Sequence, residues 1–187
     1  MFGAILFRAQ PFHNGHLHMI KTAYADCKKF GIDLYIFIGS ADKYGTKRNP
    51  LPIELRRNLV INSLNEYFSE EELNHIYVFT LDDLSDEANN TYSWGNYLYT
   101  KMCSKANDTE FIFYYSDKPS IVLSWFSPEL YKNIMYKFLP RYHTINATAI
   151  REAIINNKFC PNWLEYDIPK TIIAEYNTIR EYLLEAI

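Results

Sequence analysis

Short apolar runs alternate with stretches of helical spacing along this chain. Ala4-Ile5-Leu6-Phe7 is apolar and β-prone, and reads as a buried strand. Leu17, Ile20, Tyr24 and Cys27 then recur at helical spacing, which predicts a helix from near His16 to about Lys29. Asp33–Ile38 is a second buried strand, ending in Gly39-Ser40, and a loop rich in Gly, Lys and Asn runs from Ala41 to Pro50. Pro52 suits the first turn of a helix that carries Leu55, Leu59, Val60 and Leu64. His75–Phe79 and Phe111–Tyr115 are the third and fourth strands. A helical pattern through Leu98 and Met102 begins just after Trp94. An amphipathic closing helix follows Pro169, with Ile172, Tyr176, Ile179 and Leu183 on one face. Strands alternating with helices predict an α/β fold with a mainly parallel sheet. Ligands of such sheets lie outside the carboxyl ends of the strands, where the turn at His13–His16, Gly39-Ser40 and Ser116-Asp117 all fall.

Composition narrows the class. The 187 residues fit one domain with a substantial core, and 48% hydrophobic with 22% charged residues is ordinary globular usage. A formal net charge of −3 argues against a general nucleic-acid binder. Sixteen Tyr and twelve Phe predict an aromatic-rich core. Cys27, Cys103 and Cys160 form no Cys-x-x-Cys pair, which excludes a disulfide framework and a zinc site and points to a reducing compartment. No run reaches transmembrane length, and no charged segment followed by a long apolar one opens the chain. The expectation is a soluble, cytoplasmic protein.

The chemistry concentrates in Pro11-Phe12-His13-Asn14-Gly15-His16, between the first strand and the first helix. A strand, a tight turn and a helix N-terminus together make an anion site, because free N–H groups and the helix dipole favour phosphate. Gly15 removes a Cβ from the approach, and both histidines can donate to phosphate oxygens. A second helix start lies at Asn146, a plausible N-cap that sets Thr148 and Arg151 on one face of the first turn.

At these residues the chain resembles the nucleotidylyltransferase superfamily, whose signature is His-x-Gly-His after the first strand. Arg8–His16 is similar to the opening of nicotinamide mononucleotide adenylyltransferases of the archaeal type, with Phe7 where that family has Gly and Ala9 where it has Phe. Ile38-Gly39-Ser40-Ala41, Lys43, Thr46 and Asn49-Pro50 continue the likeness. Ile145–Arg151 resembles the superfamily's second signature, with Asn146 and Ala147 in place of two serines.

The resemblance implies a Rossmann-like, doubly wound parallel sheet with helices on both faces and a C-terminal helical segment, in one nucleotidylyltransferase domain over residues 1–187. It implies adenylyl transfer from ATP to nicotinamide or nicotinic acid mononucleotide. His13, His16, Arg8 and Arg56 are the expected catalytic groups. Arg56 takes the place of a phosphate-binding arginine, with Arg57 as its rival. Phe7, Gly15, Ser116 and Asp117 join Arg8 and the histidines around ATP, and Thr148 and Arg151 hold its distal phosphates. Ser40 and Trp94 are mononucleotide candidates, with the Trp94 indole stacking on the cationic ring; Asp82, a third candidate, and Asp83 end the third strand, where loop carboxylates are more often solvated. Magnesium is expected on the triphosphate, held by phosphate and water with no protein ligands. No nucleic-acid or membrane partner is implied, and a homo-oligomer stays open. The alternatives are a sister transferase acting on phosphopantetheine or a cytidylyl acceptor, and a non-catalytic module that senses ATP or NAD.

Overall fold

A computed structural model describes residues 1–84, 91–141, 146–158 and 170–186. Ile145, Cys160 and Pro169 lie outside the described residues. The elements run β1 (Phe2–Phe7), α1 (Asn14–Phe30), β2 (Leu34–Ile38), α2 (Ile53–Tyr67), α3 (Glu70–Leu73), β3 (Ile76–Thr80), α4 (Thr91–Ala106), β4 (Phe111–Tyr115), α5 (Pro119–Leu123), β5 (Ile134–Phe138), α6 (Ala147–Ile155), α7 (Lys170–Ala174) and α8 (Tyr176–Glu185). The five strands form one parallel sheet in the order β3-β2-β1-β4-β5. The chain therefore winds outward from β1 in one direction, returns, and continues from β4 in the other. The reversal places a crevice at the carboxyl ends of β1 and β4.

Alternation along the central strands explains why they read as unbroken apolar runs: both faces are covered. Ile5, Leu34, Ile36, Ile38 and Ile112 point to the face packed by α1, α2, α6 and the C-terminal helices, a mostly aliphatic core. Phe2, Phe37, Phe111, Phe113 and Tyr115 point to the other, where Leu98 and Met102 of α4 and Val122 and Phe126 meet them. The aromatic excess of the sequence is thus concentrated on one side of the sheet.

Several boundaries differ from the sequence expectation. Helix α1 begins at Asn14, because His13 rather than a later residue takes the extended N-cap position. Trp94 is not ahead of the helix but in its first turn: Trp94, Leu98 and Met102 are four apart and share one face. The closing helix is two, α7 and α8, with Ile172, Ile179 and Leu183 fully buried. Strand β5 has no counterpart in the apolar pattern. It is an edge strand, as β3 is, with Met135 and Phe138 exposed, and Lys137 breaks its apolar run. Among the described residues, no helix is long and apolar enough to cross a membrane.

Candidate active site

The His13–His16 turn builds itself from its own side chains. The Gly15 N–H donates to His13 Nδ1 at 3.1 Å, and the His13 N–H donates to His16 Nδ1 at 3.2 Å. The two imidazoles thus form a reciprocal capping box at the start of α1. Because each Nδ1 accepts, the proton of each neutral ring is assigned to Nε2, which is left to donate. The rings lie 3.8 Å apart between centroids, and His16 also packs on Phe7 and Phe12. Burial lowers the His13 pKa to about 4, with the Arg141 charge adding to it. Burial first, then His13, hold His16 well below its ordinary value. Both histidines are neutral donors at pH 7. A Cβ on residue 15 would stand 2.9 Å from the His13 ring, so Gly15 is needed for the ring to fold over the helix start.

The second helix start is capped by Asn146, whose Oδ1 accepts from the N–H groups of Thr148 and Ala149, both at 3.1 Å. Arg151 donates through Nη2 to Thr148 Oγ1 at 3.2 Å and through Nη1 to the Gln10 carbonyl at 2.7 Å. That last bond brings the late signature onto the early one, across 141 residues of sequence. Gln10 is fully engaged in turn: its side chain exchanges two hydrogen bonds with the backbone of Leu51, tying the loop before α2 to the same turn.

Arg8 follows β1 directly, and its charge acts on Arg151. Enclosure lowers its pKa, as does Arg48, while Asp83 and Asp117 oppose the shift. Arg151 in turn is lowered by burial and then by Arg8. Asp117 is bound by Arg141 at 3.0 Å, and the Ser116 hydroxyl faces Met19 Sδ at 3.7 Å. Phe7, Arg8, His13, His16, Thr148 and Arg151 therefore share one cluster, with Asp117 and Arg141 at its edge.

The mononucleotide candidates form a neighbouring group at the ends of β2 and β3. The Ser40 hydroxyl is buried and donates to Asp83 Oδ1 at 3.0 Å, and Lys43 Nζ lies 3.9 Å from Asp83 Oδ2. The Asp82 carboxylate is exposed, while its carbonyl accepts from the Tyr97 hydroxyl at 3.0 Å. Trp94, half-buried, packs on Tyr97 with centroids 5.8 Å apart and stands nearly perpendicular to Trp125 at 6.4 Å. Gly95 makes this possible, since a Cβ there would be 1.9 Å from the Trp125 carbonyl oxygen.

Arg56 sits differently from the other predicted groups. The helix register does turn Arg56 inward and leaves Arg57 exposed. Inward, however, means beneath the strand ends and not into the crevice. The side chain has no exposed surface, and its Nη atoms donate to the carbonyls of Arg8, Gly39 and Ser40. Two guanidinium groups outside the predicted set act on that set by their charge: Arg48 on Arg8, and Arg141, paired with Asp117, on His13. The Lys47-Arg48 pair in a loop after a strand end was the available signal for the first. Arg141 follows β5, whose absence from the apolar pattern hid the strand end it belongs to. Trp125 had no local signal.

A Nicotinamide-nucleotide adenylyltransferase from Methanococcus aeolicus is 29% identical over 181 residues, covering 92% of this chain and 86% of the relative. One from Saccharolobus solfataricus is 29% identical over 169 residues, covering 88% and 83%. A solved structure of a bifunctional NMN adenylyltransferase/ADP ribose pyrophosphatase from Francisella tularensis, complexed with AMP and a manganese ion, superimposes with a TM-score of 0.68. It is 19% identical, covers 100% of this chain, and is twice as long, this chain spanning 52% of it, so that likeness is one of fold. Residues 8–153 match the family described as Cytidylyltransferase-like, and this chain belongs to that family.

Proposed function

We propose that the protein is a nicotinamide-nucleotide adenylyltransferase, working on one domain over residues 1–187. A phosphate oxygen of nicotinamide or nicotinic acid mononucleotide attacks the α-phosphorus of ATP in line; the bond to the β-phosphate oxygen breaks and pyrophosphate leaves. The observation that carries this reading is the Arg151–Gln10 bond, which joins both signature turns into one cationic, donor-rich crevice. The reaction needs no side-chain nucleophile. It needs two polyanions held in line and charge on the transferring phosphoryl met by preorganised donors.

His13 and His16 supply these donors through Nε2–H, directed at the α- and β-phosphates. Arg8, Thr148 and Arg151 hold the β- and γ-phosphates, with Phe7 and Gly15 shaping the turn and Ser116 and Asp117 bordering the nucleotide. Trp94 stacks on the pyridine ring, with Ser40, Asp82 and Asp83 on the same side. The charged groups around the phosphates are cationic, and the Asp83 and Asp117 carboxylates are engaged by Ser40 and Arg141. A divalent cation, magnesium in this reading, accordingly rides on phosphate oxygens and water and offsets the triphosphate charge. Neither nucleic acid nor membrane enters the reaction, and the cytoplasm is the compartment that fits it.

The test is a panel of acceptors with ATP and magnesium, following pyrophosphate. Either pyridine mononucleotide should release it with formation of a dinucleotide, whereas phosphopantetheine and cytidylyl acceptors should not. Binding of ATP with no turnover on any acceptor would leave a sensing module instead. Trp94→Ala tests the acceptor side: it should weaken mononucleotide binding by about 1–3 kcal/mol, as loss of base stacking does. ATP affinity should change little, and Trp94→Phe should recover part of the loss. A destabilised Trp94→Ala protein whose folded fraction binds mononucleotide normally would return this indole to the core.

A further inference from the structure

Arg56 heads the large side chains with no solvent exposure. Among the described residues its hydrogen-bond partners are three carbonyls and no carboxylate. Nη1 donates to the Arg8 carbonyl at 2.9 Å and to that of Gly39 at 2.8 Å, and Nη2 donates to that of Ser40 at 2.8 Å. Nε has no partner. Burial, with Arg8 second, lowers its pKa to about 10, so it stays charged at neutral pH. A buried charge is expensive to hold, and an apolar side chain would fill the same space without that desolvation.

What the guanidinium gathers is the carboxyl ends of two adjacent parallel strands. β1 exits through Arg8 and Ala9, and β2 through Gly39 and Ser40. Ala9 has φ 53 and Ser40 has φ 52, both in the left-handed region that residues with a Cβ avoid. The Arg8 and Gly39 carbonyls belong to the peptides just before those two residues. Each strand therefore makes the same unfavourable exit, and each exit turns a carbonyl onto the same cation. The planar, multi-donor head of arginine can serve all three, which the point charge of lysine cannot.

We infer that Arg56 is a positioning residue for adenylyl transfer: by holding the Arg8, Gly39 and Ser40 carbonyls it fixes both strand exits, and with them the aim of Arg8 and of the Ser40–Asp83 pair. This rests on the function proposed above. Arg8 belongs to the ATP side and Ser40 to the mononucleotide side, so a single buried group sets the registry of both substrates. A direct phosphate contact from Arg56 makes the opposite prediction, an effect confined to one substrate.

Wild-type turnover of ATP with a pyridine mononucleotide comes first; its absence would end the functional reading whatever Arg56 does. In Arg56→Lys, KM should rise for ATP and for mononucleotide together, with kcat falling about tenfold or more as the planar fork is lost. Adding Ala9→Gly to Arg56→Lys should restore part of kcat, because glycine adopts the left-handed exit unaided; Ala9→Gly in the wild-type background should give no gain. A KM change for one substrate only, or a double variant no better than Arg56→Lys, would overturn the proposal. A second measurement needs no variant to fold. In wild-type protein with 15N-labelled arginine, the Arg56 guanidinium protons should be protected from exchange before and after saturation with ATP. Protection that arises only on ATP binding would make Arg56 a phosphate contact.

Discussion

The two helix starts that face the crevice are capped by opposite strategies. At α1 the capping atoms are the Nδ1 atoms of His13 and His16, so the groups that satisfy the helix are those that act on the ligand. At α6 an ordinary asparagine takes the N–H groups of Thr148 and Ala149, and charge is brought separately by Arg151. The first arrangement fixes tautomer, orientation and helix start with one pair of rings, and so cannot lose a ring without losing all three. The second divides the tasks. It also uses up two N–H groups that an incoming phosphate would otherwise find, which leaves recognition there to the Thr148 and Arg151 side chains.

The sharpest way to break this contrast is His16→Ala. Removing one preorganised donor typically costs on the order of 10²–10³ in rate, and the capping bond from the His13 N–H is lost with it. Near-normal kcat in a folded His16→Ala protein would refute the assignment. Arg151→Lys should be milder and one-sided: KM for ATP rises about tenfold, as the charge persists but its planar fork does not. A rise in mononucleotide KM alone would show that the α6 start serves the other substrate.

The α1 turn titrates and the α6 turn does not. With the His13 pKa at about 4 and that of His16 lower than usual, the unfolded chain, with histidines near 6.5, binds protons first on acidification. Stability is therefore full above 6.5 and falls as pH drops from there toward 4, by at most about 1.4 kcal/mol per pH unit for each histidine. Urea melts from pH 7.5 to 4.5 measure this, and His13→Asn should flatten the curve. A rate that rises on acidification would mean that an imidazolium, not a neutral donor, does the work. Smallest of all, Asn146→Ala should remove about 1 kcal/mol of stability, as lost N-caps do. Its thermal melt should drop by a few degrees while kcat stays within a few-fold of wild type. A loss of kcat as large as that of His16→Ala would mean that the two starts are not built differently after all.

Much of this was legible in the sequence. The four runs read as strands all appear within a residue or two: β1, β2 and β4 are covered on both faces and so are apolar throughout, while the edge strand β3 is legible because Ile76–Phe79 is an unbroken run of β-branched and aromatic residues. The Asn146 cap and the Thr148–Arg151 pairing were readable for a related reason: caps and one-turn pairs involve residues within four positions of each other. The same locality fixed the His13–His16 turn, although not that its rings would cap the helix themselves.

Tertiary structure decided the rest. Strand β5 is defined by its pairing with β4, because Lys137 interrupts Ile134–Tyr136 before Phe138 and leaves the local pattern too short to read as a strand. Trp125 meets Trp94 only because Gly95 lets a backbone 30 residues on come into contact with α4. Arg56 is the clearest case. Helix periodicity says that it turns inward, but what it meets there, the carbonyls of residues 16, 17 and 48 positions away, depends on how the ends of two strands pack over one helix. Local spacing determines which way a side chain leaves its element; only the assembled sheet determines what it finds.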